Sequence, residues 1–557
     1  MKASQFTPKI FTLLQNGYTK NDFRADAIAG LTVAVVALPL AMALAIASGA
    51  SPDKGLITAV IAGFLISLFG GSRVQVGGPT GAFVVVVYNV ISQHGYDGLV
   101  LATFLAGIIL LIAGYAKLGQ VIKFIPHTVV TGFTAGIAVI IASSQVKDFL
   151  GLKLTNVPAD FVPKWIAYFG TLNTTSLITF LVGLGALLTI ILLRRFTPKL
   201  PSYLIAVAAS ALVVALFHIP VDTIGSRFPH IPSGLPMPEM PAWDFAKFQE
   251  IIPSAFTIAF LAGIEALLSA TVADGMTGFK HRSNQELVGQ GIANIASAFF
   301  GGLPATGAIA RTATNIKAGA RTPLAGMFHA AFLLLFMLFA TDAMKFVPMA
   351  TLAAILFIVA WGMSEIDHFI HILRLSATDR TIMLLTFFLT VFVNLTVAIG
   401  VGVTLASLLF TRQMAKSVEI KSEGHRVTDL VDNEYEDEAQ RVKLPPGVEV
   451  FRITGPVFFG VADDLLDTLK SMGQTPKVLI IRMRLVPYLD ATGATAIKNM
   501  LKQCQDKGTK VILSGLQSQP ENILKNAHVL HGKDGVIFSP DYQSSLNTAQ
   551  GLIEEVL

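Results

Sequence analysis

Two charged residues stand in stretches too apolar for ordinary charges. Glu265 lies among Ala262, Gly263, Ile264, Ala266 and Leu267, with Ser269 one turn further on the same helical face. A carboxyl group there is expensive in hydrocarbon, so it calls for a proton, a cation or an ion pathway, or is a structural group satisfied by nearby amides and hydroxyls. Arg311 follows Gly307 by one helical turn. Its planar fork suits an oxyanion, unless it pairs with an acid or snorkels toward the surface beside Lys317 and Arg321. His127, His218 and His329 share no metal-ligand spacing and are expected to be satisfied structural residues. No Ser-His-Asp set, Walker loop or pair of catalytic carboxylates stands out, which makes an enzyme the weaker class.

What positions these residues is a stretch that occurs twice. Phe69-Gly70-Gly71 leads into Pro79-Thr80-Gly81-Ala82, and Phe300-Gly301-Gly302 leads into Pro304-Ala305-Thr306-Gly307-Ala308. Each copy lies between long apolar runs and combines helix breakers with a small-residue start for a new helix. Paired breaks in corresponding halves of a hydrophobic chain point to a transporter's substrate site. Thr80 and Thr306 offer hydroxyl ligands or caps for the helices that follow, and Pro39 predicts a kink that exposes backbone near the same place.

The 557 residues are 53% hydrophobic and 14% charged, with mean hydropathy +0.64, values that exclude an ordinary soluble protein. Spans are expected at 26–47, 55–70, 79–92, 98–116, 125–146, 175–193 and 201–219, then at 251–273, 285–300, 305–317, 323–341, 347–362, 381–395 and 398–415. The third and tenth shorten at the repeated motif and read as half-helices inside the bundle. Asn394 and Gly400 interrupt 381–415, and reading it as one helix would reverse the side of the C-terminus. With the N-terminus inside, Lys117, Lys123, Arg194, Arg195, Lys199, Lys280, Arg282, Lys317, Arg321, Arg374, Arg380, Arg412 and Lys416 all fall in cytoplasmic loops. Seven spans separate the two motifs, so the halves 26–219 and 251–415 insert with opposite orientation and the two half-helix starts converge, a site that favours an anion.

The net charge of +5 follows these loops and argues against nucleic-acid binding, and the single Cys504 rules out an internal disulfide. Residues 1–25 read as a cytoplasmic interfacial segment rather than a secretory signal, with Phe6, Ile10, Phe11, Leu13 and Leu14 on its membrane side. The transmembrane domain, 26–416, is followed by a charged linker, 417–446, containing Glu434–Glu438. The tail at 447–557 alternates strands at 448–453, 477–482 and 510–513 with helices at 461–472, 493–506, 519–528 and 541–555, a small α/β domain.

The Gly-Gly-Pro-Thr-Gly-Ala segment, the run from Phe300 to Arg311 and Asp274-Gly275-Met276-Thr277-Gly278 resemble the sulfate permease (SulP) or solute carrier family 26 anion transporters, and the tail resembles their STAS domain. The resemblance implies a polytopic α-helical membrane protein with a seven-plus-seven inverted repeat of the uracil-permease-like kind. A core of spans 1–4 and 8–11 would move as an elevator against a gate of spans 5–7 and 12–14, in a homodimer. It places the substrate, a small anion such as a dicarboxylate, sulfate or bicarbonate, between Thr80-Gly81-Ala82 and Gly307-Ala308-Ile309, near Leu40, with Arg311 behind. Leu40 stands where animal members commonly carry Gln. Glu265 and Ser269 stand where sodium-coupled bicarbonate members carry Asp and Thr, and the longer acid resembles members regarded as proton-coupled.

The expected function is therefore a secondary anion transporter, a proton-linked symporter, in the bacterial inner membrane with both termini cytoplasmic. An uncoupled channel or exchanger, a sodium-coupled symporter and a receptor signalling through the STAS domain are the alternatives. No cofactor is expected beyond a co-transported H+ or Na+, and the partners are membrane lipid, a second copy and a cytoplasmic protein at the STAS domain. There, Leu489-Asp490-Ala491-Thr492-Gly493 resembles the family's Asp-Ser-Ser-Gly turn, with Thr492 at the phosphorylated position. Asp490 and Thr492 equally suit plain helix caps.

Overall fold

The computed structural model describes residues 5–15, 17–120, 126–154, 157–158, 160–197, 200–229, 232–241, 245–422, 444–461, 476–529 and 536–554. It divides into two units, Met1–Leu405 and Ala406–Leu557.

In the first unit the apolar runs become helices. They are α1 (Lys9–Leu14), α2 (Lys20–Ala47), α3 (Pro52–Phe69), α4 (Phe83–Tyr115), α5 (His127–Leu150), α6 (Phe161–Gly170), α7 (Leu177–Phe196), α8 (Ser202–Phe217) and α9 (Ile224–Arg227). There follow α10 (Phe245–Thr277), α11 (Ser283–Phe299), α12 (Ile309–Lys317), α13 (Leu324–Phe339), α14 (Thr341–Met344), α15 (Met349–Met363), α16 (Ile366–Leu373), α17 (Ala377–Phe392) and α18 (Leu395–Lys416), which runs into the second unit. Among the described residues eight helices are long and apolar enough to cross a membrane, and Ser202–Phe217 and Leu324–Phe339 are shorter apolar helices.

Local chemistry sets the boundaries. A capping box between Thr19 and Asp22 starts α2 six residues before the apolar run. Helix α4 merges the expected third and fourth spans across a kink at Gly95, whose φ of 73° breaks the helix. The interruption in 381–415 is real, because Asn394 lies between α17 and α18 and its side-chain oxygen accepts from the Val397 amide at 2.8 Å. One expectation is corrected at the N-terminus. Ile10 is buried rather than membrane-facing, and the Lys9 amide donates to Gly70 O at 3.0 Å, so α1 docks on the end of α3. Phe11 and Leu14 stay exposed.

The helices pack in two sets. Helix α4 lies on α10 and α11, and α13 on α2 and α3, while α5 lies on α15 and α17 and α15 on α7. Small residues allow close crossings in both sets: a Cβ on Gly30 would meet α13, and one on Gly132 would meet α17.

The second unit contains a five-stranded sheet of β3 (Glu419–Ser422), β4 (Val448–Thr454), β5 (Val478–Leu485), β6 (Lys510–Ser514) and β7 (Val536–Ser539), in that order. Here β1 (Gly77–Gly78) and β2 (Thr306–Gly307) denote the short strands of the first unit. The pair β3–β4 is antiparallel and the rest parallel. Helices Ala491–Asp506, Ser518–Asn526 and Tyr542–Glu554 accompany the strands. The sheet thus begins inside the stretch expected to be linker, and β7 adds a strand where none was expected. The expected helix at 461–472 and the acidic run Glu434–Glu438 lie outside the described residues.

Candidate functional site

The two breaks meet. Gly77 pairs with Gly307 and Gly78 with Thr306 in a short antiparallel ladder, extended by a hydrogen bond from Ala308 N to Val76 O of 2.9 Å. Glycine is required at this approach. A Cβ on Gly307 would fall 1.3 Å from Gln75 Nε2, and one on Gly78, whose φ is 146°, would lie 2.3 Å from Arg311 Nη1. Beyond the ladder, α4 starts with Ala82 as N-cap and α12 with Ala308 as N-cap. The first amides of each helix have no intrahelical acceptor, so both starts present partial positive charge close to the ladder. Gly81, Ala82, Gly307 and Ala308 are buried and Ile309 is exposed.

Helix α10 binds both breaks. Thr80 Oγ1 donates to Glu265 Oε2 at 2.6 Å, and Thr306 Oγ1 donates to Ala262 O at 2.7 Å. Gln75 Nε2 reaches Ala266 O at 3.1 Å. Ser269 Oγ donates to Thr312 Oγ1 at 3.1 Å, and that oxygen also accepts from Val76 N at 3.1 Å. Glu265 and Ser269 share a face of α10, yet the first is tied to the start of α4 and the second to α12. Neither threonine caps its own half-helix through its side chain.

Arg311 is 3% exposed. Its Nη1 donates to Gly77 O at 3.3 Å and its Nη2 to Pro79 O, so the fork closes on the first break. Its Nε is buried without a hydrogen-bond partner among the described residues. Among the described residues the guanidinium makes no ion pair with Glu265, and its charge lies against the carbonyls of the first break. Leu40 is buried one residue after Pro39 in α2, a helix that packs against α12.

The structure adds residues that the motifs did not reveal. Glu286 in α11 is fully buried. Its Oε2 accepts from the amides of Gly71 (2.8 Å) and Ser72 (3.0 Å), and its Oε1 from Gln290 Nε2 (2.8 Å). Asn294 brackets the second break, donating to Ala305 O at 2.8 Å and accepting from Ala305 N at 2.9 Å. One helix therefore anchors both breaks. The available signal was the polar series Glu286, Gln290, Asn294 at intervals of four in an otherwise apolar span. Asp26, also fully buried, accepts from the amides of Arg321 (2.7 Å) and Thr322 (3.1 Å) just beyond α12.

The histidines divide. His329 is fully buried, and neither ring nitrogen has a partner, so it is not the satisfied residue expected. Its ring lies against Gly63 of α3, and among the described residues neither nitrogen finds a hydrogen-bond partner there. His218 ends α8 at a φ of 50°. His127 Nδ1 lies 3.1 Å from Thr131 Oγ1, and folding brings His127 to Glu365 and His368, an exposed trio with ligand atoms within 4.8 Å of one another.

In the second unit Asp490 is the N-cap of Ala491–Asp506, accepting from Gly493 N at 2.7 Å and from Phe459 N at 3.1 Å. The helix-capping role holds for Asp490. Thr492 is exposed in the first turn.

Residues 23–386 match the sulfate permease family and residues 439–536 the STAS domain. The chain is 42% identical over 520 residues to YvdB of Bacillus subtilis, whose name gives sulfate transport as a provisional activity, covering 92% of this chain and 96% of that protein. It is 32% identical over 534 residues to the bicarbonate transporter BicA of Picosynechococcus, covering 90% of each. The solved transmembrane domain of a cyanobacterial BicA covers 70% of this chain and 98% of that one, with TM-score 0.62 and 30% identity. The murine solute carrier 26 member A9 anion transporter, solved in its inward-facing state, has TM-score 0.84 at 17% identity, covers 98% of this chain and 94% of that one, and shows the shared fold.

Proposed function

This chain belongs to the sulfate permease family, and on that premise we propose that it is a secondary transporter that carries small anions by proton-coupled symport. The observation that carries the reading is the hydrogen bond from Thr80 to Glu265. It joins the start of α4, where the anion is to be held, to an acid of α10 that can take up a proton.

The site is built for an anion by its two helix starts, with the Arg311 charge behind them. An ionised Glu265 would oppose that charge. Protonation removes the opposition, so anion and proton bind together and are carried together. The same balance suits a dicarboxylate, sulfate or bicarbonate. Carriage across the membrane is assigned to the helix set that holds both breaks moving against the set of α5, α7, α15 and α17. The N-terminus is placed inside, which puts the ends of α2 and α5 on the outer face.

The test is uptake of radiolabelled sulfate, bicarbonate and fumarate into proteoliposomes of the full chain, with an imposed pH gradient. Acid on the substrate side should drive accumulation in the wild type, and Glu265→Gln should transport without responding to pH. A variant with unchanged pH response removes Glu265 from coupling, and anion currents without accumulation would favour an uncoupled channel.

A further inference from the structure

A cavity of about 440 Å³ lies beside the candidate site, between the ends of α2 and α5 and the walls of α4 and α15. It reaches Val84 and Val85 in the first turn of α4, a short way from Gly81. Its polar lining includes Lys147, Lys164 and Arg227 against a single carboxylate, Asp148. That carboxylate is already engaged, since Asp148 accepts from Arg227 Nη2 at 2.7 Å and from Nη1 at 3.2 Å, and Asp222 comes within 3.8 Å of the same guanidinium. Arg227 is thus held by carboxylates, whereas neither lysine makes an ion pair among the described residues, Asp148 and Asp222 acting on Lys147 only at longer range.

Lys164 is the unexplained group. It is 5% exposed, yet among the described residues its ammonium makes no hydrogen bond and no ion pair, and it stands 5.9 Å from the centre of the Tyr88 ring. Burial pulls its pKa down, and the charge of Asp160 works in the other direction. The placement is held from both sides: Trp165 Nε1, the next residue of α6, donates to Ser143 Oγ at 3.2 Å, and Tyr88 donates to Val157 O at 3.2 Å. An ammonium so largely buried, with Asp160 beyond ion-pair distance, is costly, and a bound anion would supply a closer counter-charge.

We propose that this cavity is a second anion site, an access vestibule in which Lys164, with Lys147, captures the substrate anion from the outer side before it passes to the starts of α4 and α12. The ligand class is a small oxyanion or dicarboxylate, and the inference rests on the transport reading and orientation given above. A charge so placed raises the local concentration of anions and therefore acts on apparent affinity, leaving the carriage step alone.

The experiment changes the charge after folding. Lys164→Cys is made in a Cys504→Ser background of the full chain, and uptake by intact cells is measured with [35S]sulfate, or with [14C]bicarbonate or [14C]fumarate if the wild type accumulates those. The variant should raise KM about three- to tenfold with Vmax unchanged, an effect that shrinks at about 0.5 M salt. An external cationic methanethiosulfonate should return KM toward the wild type, an anionic one should raise it further, and Lys164→Arg should match the wild type. Equal responses to the two reagents, a change in Vmax alone, a Lys164→Arg that fails to transport, or a cysteine that mass spectrometry shows unmodified from outside would each overturn the vestibule. A wild type that accumulates none of the probes overturns the transport reading itself.

Discussion

Replacing Thr80 by Val removes one hydroxyl while keeping the branched shape at the start of α4. The lost bond, Thr80 Oγ1 to Glu265 Oε2, is 2.6 Å long, within the range of about 2.5–2.7 Å for a hydroxyl donating to a carboxylate. With Glu265 protonated in the anion-bound state, the bond is a neutral one worth about 1 kcal/mol. If it preorganises the anion site, its loss should weaken substrate affinity by roughly fivefold, at about 1.4 kcal/mol per decade. Thr80→Ser keeps the donor and should keep most of the affinity.

The decisive measurement is a double-mutant cycle of Thr80→Val and Glu265→Gln, read as substrate affinity at one fixed pH. The amide of Glu265→Gln still accepts from Thr80 in a neutral bond of about 1 kcal/mol, so its single loss should be smaller. The double variant should be little worse than Thr80→Val, because the interaction is already absent. Losses that add to within about 0.5 kcal/mol would show that the two positions act independently, and the link between anion site and acid would then be refuted.

The glycines of the breaks separate stability from movement. Gly307→Ala places a Cβ 1.3 Å from Gln75 Nε2 and 2.4 Å from its Cδ, expelling a side chain that binds α10, so it should destabilise by about 1–3 kcal/mol in a thermal-unfolding assay and abolish uptake. Gly81→Ala meets the Met363 thioether, with Sδ at 2.5 Å, a flexible obstacle. It should keep the melting temperature and slow uptake, because Met363 belongs to α15 of the opposite helix set. Burial pushes the Cys504 thiol above its ordinary value, with Lys507 opposing. The folded state therefore favours the thiol, and that contribution to stability is present below the unfolded thiol's pKa and lost as pH rises through the folded one. Iodoacetamide should label the native chain slowly at neutral pH, faster in alkali and fastest in denaturant.

The fold was legible where the signal is local. Apolar runs, Gly and Pro marked the spans, Asn394 marked the α17–α18 turn, and the Pro-Thr-Gly and Pro-Ala-Thr-Gly stretches marked the place where the chain meets itself. Boundaries slipped where a cap outweighed hydropathy, as when Thr19 and Asp22 began α2 early. Partnership was less legible than position. Glu265 and Arg311 were found from the cost of a charge in hydrocarbon, but that cost says only that each must be satisfied. Thr80 satisfies the one and the carbonyls of the first break hold the other, and both partners are more than 180 residues away in sequence.

The same limit explains why Glu286 went unassigned as an anchor. Its donors are backbone amides of Gly71 and Ser72, and backbone amides carry no residue signature. Their need for an acceptor arises only because the first break opens the helix, so the acid of α11 and the glycines of the break are two halves of one solution. Arg311 completes it from the other side by taking the carbonyls of Gly77 and Pro79. A membrane interior leaves no water to satisfy an interrupted backbone, so each break recruits polar side chains, the charged Glu286 and Arg311 at the first and the neutral Asn294 at the second. Arg311, which holds the carbonyls of the first break, is also the charge behind the proposed anion site, so part of that site's chemistry follows from the fold's own requirement for satisfied backbone.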